Sequence, residues 1–210
     1  TPQALTGPGN WMLIANPSPM LTIADLSQPE LRLGGYRFNP ATHEQSRVTY
    51  ANEISFLNEA TGEKRAITGL PSPLRVRNPS WSPDGSRLAF TIATETGLTL
   101  WTADPSTGRA ARVGNVLLNG THPRRPFDWL SDSRTLIART VPGNRPAAPT
   151  ATAVPAGPLV QENLGRRTPS RTVQDLLQNE HDAALFAYHL QSQLVAVSLD
   201  GKARNIGAPG

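Results

Sequence analysis

Short runs in which apolar and polar residues alternate are the dominant pattern along the chain. The clearest run spans residues 87–92, where Leu88, Phe90 and Ile92 alternate with less apolar neighbours. A period of two predicts a half-buried β-strand. A Glu-Thr-Gly turn at residues 95–97 follows, and the apolar run at residues 98–103 predicts the partner strand of a hairpin.

Two turn sequences recur along the chain at nearly constant spacing. The first follows a tryptophan: Trp81 precedes Ser-Pro-Asp-Gly-Ser-Arg, and Trp129 precedes Leu-Ser-Asp-Ser-Arg. The second turn is centred on a glycine and appears at Gly62, Gly108 and Gly201. A unit of about 46 residues with two turns at fixed phase is the length of one β-propeller blade. We therefore predict an all-β fold, a partial β-propeller of three to four blades, with both tryptophans wedged between neighbouring blades.

One repeat is longer than the others, which predicts an insertion within the third blade at residues 141–190. The insertion begins with a Pro-rich segment at residues 141–158, which we expect to be extended and on the surface. Residues 172–190 then show helical spacing of apolar positions and predict a helix, with Thr172 and Asp175 as a weak capping pair. Residues 1–210 as a whole are interpreted as one partial propeller domain.

The composition narrows the choice of partners. The chain is 38% hydrophobic and 17% charged, and its formal net charge is +4. The arginines are scattered and no aromatic stacking run accompanies them, so we expect no nucleic-acid binding. The sequence has no cysteine, which excludes disulfides and thiolate nucleophiles in these residues. No apolar stretch approaches the roughly 18 residues that indicate a membrane span.

Motifs for catalysis or metal binding are sparse. Neither a Gly-x-Ser-x-Gly nucleophile elbow nor a Gly-rich phosphate loop occurs. The pair His43 and Glu44 lacks the second histidine of a zinc-protease helix, and His181 and His189 lack a third ligand. We therefore expect no metal and no cofactor. The Asn-Gly-Thr sequence at residues 119–121 fits an N-glycosylation sequon, but Asn-Gly also predicts a hairpin turn, which we prefer unless the source is eukaryotic.

Arg124 and Arg125 are the residues best suited to bind a ligand. They are adjacent and precede a predicted strand, which places them in a loop. Because a guanidinium group binds carboxylates in a fork geometry, the two residues are candidate anchors for an acidic side chain of a peptide substrate. The alternative is a structural ion pair with Asp128 or Asp132, and the sequence favours this alternative.

Several segments resemble those of one family of enzymes. These segments are residues 33–40, 141–162 and 175–186. They are similar to the glutamyl endopeptidase branch of the prolyl oligopeptidase family, typified by the chloroplast glutamyl peptidase, and the resemblance runs from about residue 10 to residue 210. It implies an N-terminal propeller that filters peptide substrates and gates access to a C-terminal α/β-hydrolase domain, with a Ser-Asp-His triad and cleavage after glutamate. We expect that domain to lie outside these residues, and we assign no catalytic residue.

Two other classes of propeller stay open. A Tol-associated periplasmic propeller shares the Ser-Pro-Asp-Gly repeat and binds protein partners without catalysis, but it predicts evenly spaced repeats. A sugar- or metal-dependent propeller enzyme needs Asp, Glu or His residues that converge on the inner strands, and the pattern shows none. We expect a periplasmic or secreted bacterial location, with a chloroplast or cytoplasmic location as the alternative.

Overall fold

The computed structural model describes residues 2–18, 20–150 and 175–210. Strands dominate these residues. In chain order the elements are β1 (Gln3–Thr6), β2 (Trp11–Pro17), α1 (Ile23–Leu26), β3 (Leu31–Leu33), β4 (Tyr36–Asn39), β5 (Glu44–Gln45), β6 (Ala51–Asn58), β7 (Lys64–Ala66), β8 (Val76–Trp81), β9 (Leu88–Thr94), β10 (Gly97–Asp104), β11 (Arg109–Leu118), β12 (Phe127–Trp129), β13 (Thr135–Thr140), α2 (Glu180–Leu190), β14 (Gln193–Ser198) and β15 (Ala203–Ile206). Within the described residues, neither helix is long and apolar enough to cross a membrane.

The strands pair into groups of four antiparallel neighbours, which are the blades of a partial propeller. The first blade has the order β1-β2-β6-β7, the second β8-β9-β10-β11 and the third β12-β13-β14-β15. Strand pairing between adjacent blades is short: Ala51 pairs with Val76, and Leu118 pairs with Thr140. Thr68 also forms an isolated parallel bridge with Arg109 of the second blade. The prediction of an all-β partial propeller is confirmed.

The two ends of the blades differ in their connections. Because each blade has four antiparallel strands, all second-to-third-strand connections lie at one end, together with the linkers from one blade to the next. The repeated turns lie at the other end, which we call the repeat face. The first end carries long segments in two blades: residues 18–50 connect β2 to β6, and residues 141–192 connect β13 to β14. We call this end the insertion face.

The hydrophobic core lies between the blades in two layers. Leu13, Phe56 and Phe90 belong to the layer between the first and second blades, and Leu100 and Leu136 belong to the layer between the second and third. Strand β9 contributes to both layers, because alternate side chains point to opposite faces of a sheet. The prediction that β9 is half-buried was therefore wrong: its residues from Leu88 to Ala93 are all buried.

The repeated tryptophans connect consecutive blades, as predicted. The indole N–H of Trp81 donates to the carbonyl oxygen of Leu5 in the first blade, at 3.0 Å. The indole N–H of Trp129 donates to the carbonyl oxygen of Ser80 in the second blade, also at 3.0 Å. Each ring therefore fixes the first strand of its own blade against the first strand of the preceding blade.

The turns that follow these tryptophans use local hydrogen bonds and a left-handed residue. The Asp84 carboxylate accepts from the Ser82 hydroxyl at 2.7 Å and from the Ser86 backbone N–H at 2.9 Å, and Gly85 has a φ of 70°. In the third blade Ser133 takes the left-handed position, with a φ of 55°. Its hydroxyl accepts from the Asp84 backbone N–H at 3.1 Å, which offsets part of the conformational strain and joins two blades.

The helix of the third-blade insertion is shorter than the sequence predicted. Helix α2 begins after Asn179, whose side chain accepts from the Asp182 backbone N–H at 2.8 Å and caps the first turn. The predicted helix at residues 172–190 was wrong for residues 175–179, because Asp175 has a φ of 61° and forms an ion pair with Arg37 instead of a cap. The predicted partner Thr172 and residues 151–158 of the Pro-rich segment lie outside the described residues.

Candidate functional site

The two long segments of the insertion face contact each other. Residues 18–50 form α1 and the small sheet of β3, β4 and β5, and α2 packs against β3. The Phe186 ring lies 5.7 Å from the Tyr36 ring, measured between centroids. A Cβ atom on Gly34 would lie 2.7 Å from the Phe186 ring, and Gly34 has a φ of 57°, so a side chain here would displace the ring and strain the backbone. The sequence predicted the insertion in the third blade but not the one in the first.

Polar contacts fasten the two insertions to the linker between the second and third blades. The Asn119 side-chain amide donates to the carbonyl oxygens of His189 and Gln191, both at 2.9 Å, and so satisfies the C-terminal end of α2. The backbone N–H of Gly120 donates to the carbonyl oxygen of His43 at 2.8 Å. The predicted hairpin turn at residues 119–121 was wrong, because these residues connect β11 to the next blade and Asn119 is buried.

Two buried histidines lie at the same junction. The rings of His43 and His189 are 5.6 Å apart between centroids, and the Arg145 guanidinium donates to His43 Nε2 at 2.6 Å. Burial is the main cause that lowers the pKa of each histidine to about 4, and the positive charge of Arg145 contributes to the same lowering. Both rings are therefore neutral at pH 7. This junction is held by ring contacts and by hydrogen bonds, one of which comes from the charged Arg145 guanidinium.

A cavity of about 820 Å³ opens on the insertion face between the first and second blades. Its walls are α1, residues 44–50, the linker at residues 71–75 and the β9–β10 turn. Four carboxylates and two guanidinium groups line it: Asp25, Glu30, Glu44, Glu95, Arg47 and Arg75. A volume in this range is typical of sites that bind small ligands or a few residues of a peptide.

Glu44 is the most buried charged residue of this cavity, with 6% of its surface exposed. Burial raises the pKa of its carboxyl to about 7, and Arg77 and Arg75 oppose that rise. Arg77 Nη1 lies 3.8 Å from Glu44 Oε1, which is too long for a hydrogen bond. Burial, with help from the negative charge of Glu44, also raises the pKa of the neighbouring Tyr50 to about 12.

Asp25 lies on the opposite wall of the cavity, in the first turn of α1. Its carboxylate accepts from the Thr22 hydroxyl at 2.7 Å and from the Thr22 backbone N–H at 2.9 Å, which forms a capping box. The hydrogen bond from the Thr22 hydroxyl is the main cause that lowers the pKa of Asp25. Arg75 Nη2 lies 2.8 Å from Asp25 Oδ1, and the Arg75 guanidinium also lies 5.4 Å from the centre of the Tyr50 ring. Sequence reasoning missed this group, because its members lie far apart along the chain and match no motif.

Arg124 and Arg125 lie elsewhere on the same face, in the linker before β12, and both are exposed. Arg125 forms the ion pair with Asp128 that the sequence offered as its alternative, at 2.5 Å, and its guanidinium lies 5.5 Å from the centre of the Phe127 ring. The Arg124 backbone carbonyl accepts from the Arg139 guanidinium at 2.8 Å. Neither residue lines the cavity. Their role in substrate binding stays a prediction.

Groups of three or more metal-ligating side chains are absent from the described ranges, 2–18, 20–150 and 175–210. The two histidines of α2 have different surroundings. His189 is buried against Phe38, whereas His181 lies near the start of the helix and is partly exposed. The candidate site is therefore the cavity with charged walls, which lies beside the two insertions that contact each other.

Comparison with known proteins gives two relatives of similar identity. The chain is 34% identical over 201 residues to a probable chloroplastic glutamyl endopeptidase of Oryza sativa subsp. japonica, and 36% identical over 200 residues to its counterpart in Arabidopsis thaliana. Each alignment covers 89% of this chain but only 21% and 20% of the plant proteins, so the chain spans about a fifth of their length. No protein-family profile matches the sequence.

Two further similarities are weaker. A TolB protein of Albidiferax ferrireducens is 27% identical over 104 residues, which is 43% of this chain and 24% of that protein. Among solved structures, an acylaminoacyl peptidase of Pyrococcus horikoshii aligns with 98% of this chain and 25% of its own, at a TM-score of 0.48 and 14% identity.

Proposed function

This chain is homologous to a segment of the glutamyl endopeptidases, the branch of the prolyl oligopeptidase family that its motifs resemble, and from this premise we propose that it is the non-catalytic propeller part of a serine peptidase. The proposed reaction of the whole protein is hydrolysis of peptides after glutamate. The observation that carries the proposal is the identity of 34–36% across 89% of the chain. The proposed partners are peptide substrates, an α/β-hydrolase domain and further propeller blades.

We place the filter and gate for substrates at the insertion face. The support is geometric: the first and third blades carry long insertions there, whereas the second blade has only the short turn between β9 and β10. The two insertions contact each other through Tyr36 and Phe186, and Asn119 of the linker after the second blade binds the end of α2. Loops on a rigid scaffold are the usual place for residues that select ligands.

Arg124 is the better of the two candidate anchors for an acidic side chain. Arg125 is already paired with Asp128, and a new carboxylate would have to displace that partner. Among the described residues, no carboxylate lies within ion-pair distance of the Arg124 guanidinium, and its side chain is exposed. We propose that Arg124 contacts acidic residues of the substrate, with Arg125 held in a structural role.

The experiment is a measurement of intact mass and peptidase activity on the polypeptide as the source cell makes it. Two fluorogenic peptides that differ only in Glu or Gln at the cleavage position report the specificity. We expect a polypeptide several hundred residues longer than this chain that cleaves the Glu peptide faster. In the same protein, Arg124→Gln should raise KM for acidic peptides, and the control Arg134→Gln, a repeat-face arginine, should leave KM unchanged.

The alternative outcome is a propeller that binds partners without hydrolysis. The similarity to a TolB protein favours this second candidate, although it covers less than half of the chain. A mature protein that ends near residue 210, retains protein partners on affinity capture and hydrolyses neither peptide would replace the peptidase proposal. For the location, the names of the plant relatives favour the chloroplast alternative, and they give no support to a periplasmic or secreted protein.

A further inference from the structure

The cavity beside α1 contains hydrogen-bond acceptors that no protein donor reaches. Glu44 Oε1 and Ser46 Oγ are both buried and have no hydrogen-bond partner within the described structure. Both residues line the cavity. A buried acceptor without a donor costs free energy, so a group that supplies donors at this position would be bound favourably.

The arginine side chains near the cavity do not donate hydrogen bonds to Glu44 Oε1 or Ser46 Oγ. Arg75 is engaged by Asp25 at 2.8 Å, and Arg77 stays 3.8 Å from Glu44 Oε1 without hydrogen-bond geometry. On the outer wall, Glu30 is paired with Arg32 and Arg47. The arginines therefore balance much of the negative charge, but none of them donates to Glu44 Oε1.

The rim of the cavity is apolar. Leu21 and Leu26 line the opening, and the adjacent side chains of Met20 and Ile23 are 76% and 87% exposed. Exposed large apolar side chains next to a charged cavity are typical of a surface that binds another chain. A peptide that has a cationic side chain between apolar residues would match both the acceptors in the cavity and the apolar rim.

We propose that this cavity binds an arginine or lysine side chain of a peptide, with the cationic group at Glu44 and Ser46 and the flanking residues on the apolar rim of α1. An ammonium or guanidinium group supplies several donors and accepts none, which complements a carboxylate oxygen and a hydroxyl oxygen without donors. The site lies on the insertion face, but the group that it would bind is cationic, whereas the group proposed to contact Arg124 is acidic. The proposal concerns binding alone and does not depend on peptidase activity.

The test uses the 210-residue chain and a blocked peptide, acetyl-Leu-Arg-Leu-amide, titrated by calorimetry and by backbone amide NMR shifts. The comparison peptide replaces arginine by citrulline, which has nearly the same shape but no charge. Guanidinium chloride at matched ionic strength separates binding of a free cation from binding of a peptide. The variants are Glu44→Gln and, as a control, Glu59→Gln, which removes an exposed carboxylate on the repeat face.

We expect the citrulline peptide to bind at least about tenfold more weakly than the arginine peptide, and Glu44→Gln to weaken the arginine peptide about tenfold. The shifts should centre on residues 44–50 and α1, and Glu59→Gln should bind like the original chain. Equal affinity for the two peptides, or unchanged affinity in Glu44→Gln, would overturn the proposal. Saturation by guanidinium alone at the affinity of the peptide would also overturn it. If Glu44→Gln does not fold, Ser46→Ala tests the second acceptor by the same comparison.

Discussion

Trp129 reaches across a blade boundary and donates its indole N–H to the backbone carbonyl of Ser80, at 3.0 Å. The same bond recurs one blade earlier, from Trp81 to Leu5, where the acceptor is more exposed to solvent. The repeat of a sequence motif is therefore also the repeat of one contact between blades.

Trp129→Phe should lower the free energy of unfolding by about 1 kcal/mol, because the ring still fills most of the boundary but the hydrogen bond is lost. Trp81→Phe should have a smaller effect, since water can replace the lost donor at Leu5. Denaturant unfolding of both variants checks this order. An unchanged midpoint for Trp129→Phe would show that the bond contributes nothing to the boundary.

The repeated glycines offer a matched pair of substitutions. Gly62 and Gly108 occupy equivalent turns with φ values of 72° and 71°, but a Cβ on Gly108 would lie 2.5 Å from the Ala66 carbonyl oxygen, and a Cβ on Gly62 meets nothing within 4 Å. Gly62→Ala should cost about 1 kcal/mol of stability from the left-handed backbone alone. Gly108→Ala should cost several kcal/mol, because the neighbouring blade must also move. Equal losses on thermal or denaturant unfolding would contradict the contact between blades.

Asn119→Ala should release α2 from the blade linker. It removes the donor to the Gln191 carbonyl oxygen and leaves the His189 carbonyl oxygen with the longer bond from the Thr121 hydroxyl, at 3.3 Å. We expect a cost of about 1–3 kcal/mol. Amide hydrogen exchange should speed up in α2 before it does so in the strands. The control Asn58→Ala removes an asparagine that binds only its own exposed turn, and exchange in α2 should then be unaltered.

The buried carboxyl of Glu44 should make stability depend on pH. Its pKa of about 7 in the folded state lies above the ordinary value of 4.5, so the folded state binds more protons than the unfolded state between these values. Stability from this group is complete below pH 4.5 and is lost as the pH rises through 7, by roughly 3 kcal/mol. Two other titratable groups that face this carboxyl have pKa values shifted away from the range: the pKa of Asp25 is lowered, and the pKa of Tyr50 is raised to about 12. Arg75 and Arg77 also face the carboxyl.

The variant Glu44→Gln separates the pH dependence of stability that comes from Glu44 from the pH dependence that comes from the buried histidines. His43 and His189, with pKa values of about 4, act in the opposite direction: their stability is complete above pH 6.5 and is lost as the pH falls through 4. The difference in unfolding free energy between Glu44→Gln and the original chain should therefore grow from pH 4.5 to pH 7. A difference that is constant over this range, measured by urea unfolding at each pH, would refute the raised pKa.

Features with a local cause were predictable from the sequence. The turns built on Pro83 and Gly85 and the strand pattern around Phe90 follow from neighbouring residues. The insertion after β13 follows from the longer spacing of its repeat. The burial of both faces of β9 could not be predicted, because it depends on the blades on either side. The cavity was missed for a similar reason: Asp25, Glu44 and Arg75 come together only after three chain segments have packed.

Because strand pairing between adjacent blades is short, each blade can gain residues without disturbing its neighbours. Each four-stranded ladder closes within its own blade, and the chain leaves and returns at the insertion face. Sequence added between the second and third strands of a blade therefore leaves every pairing register unchanged. The short turn between β9 and β10 is the natural position for grafting a foreign loop, whereas the repeat face, where Gly108 touches its neighbour, tolerates no such graft at that turn.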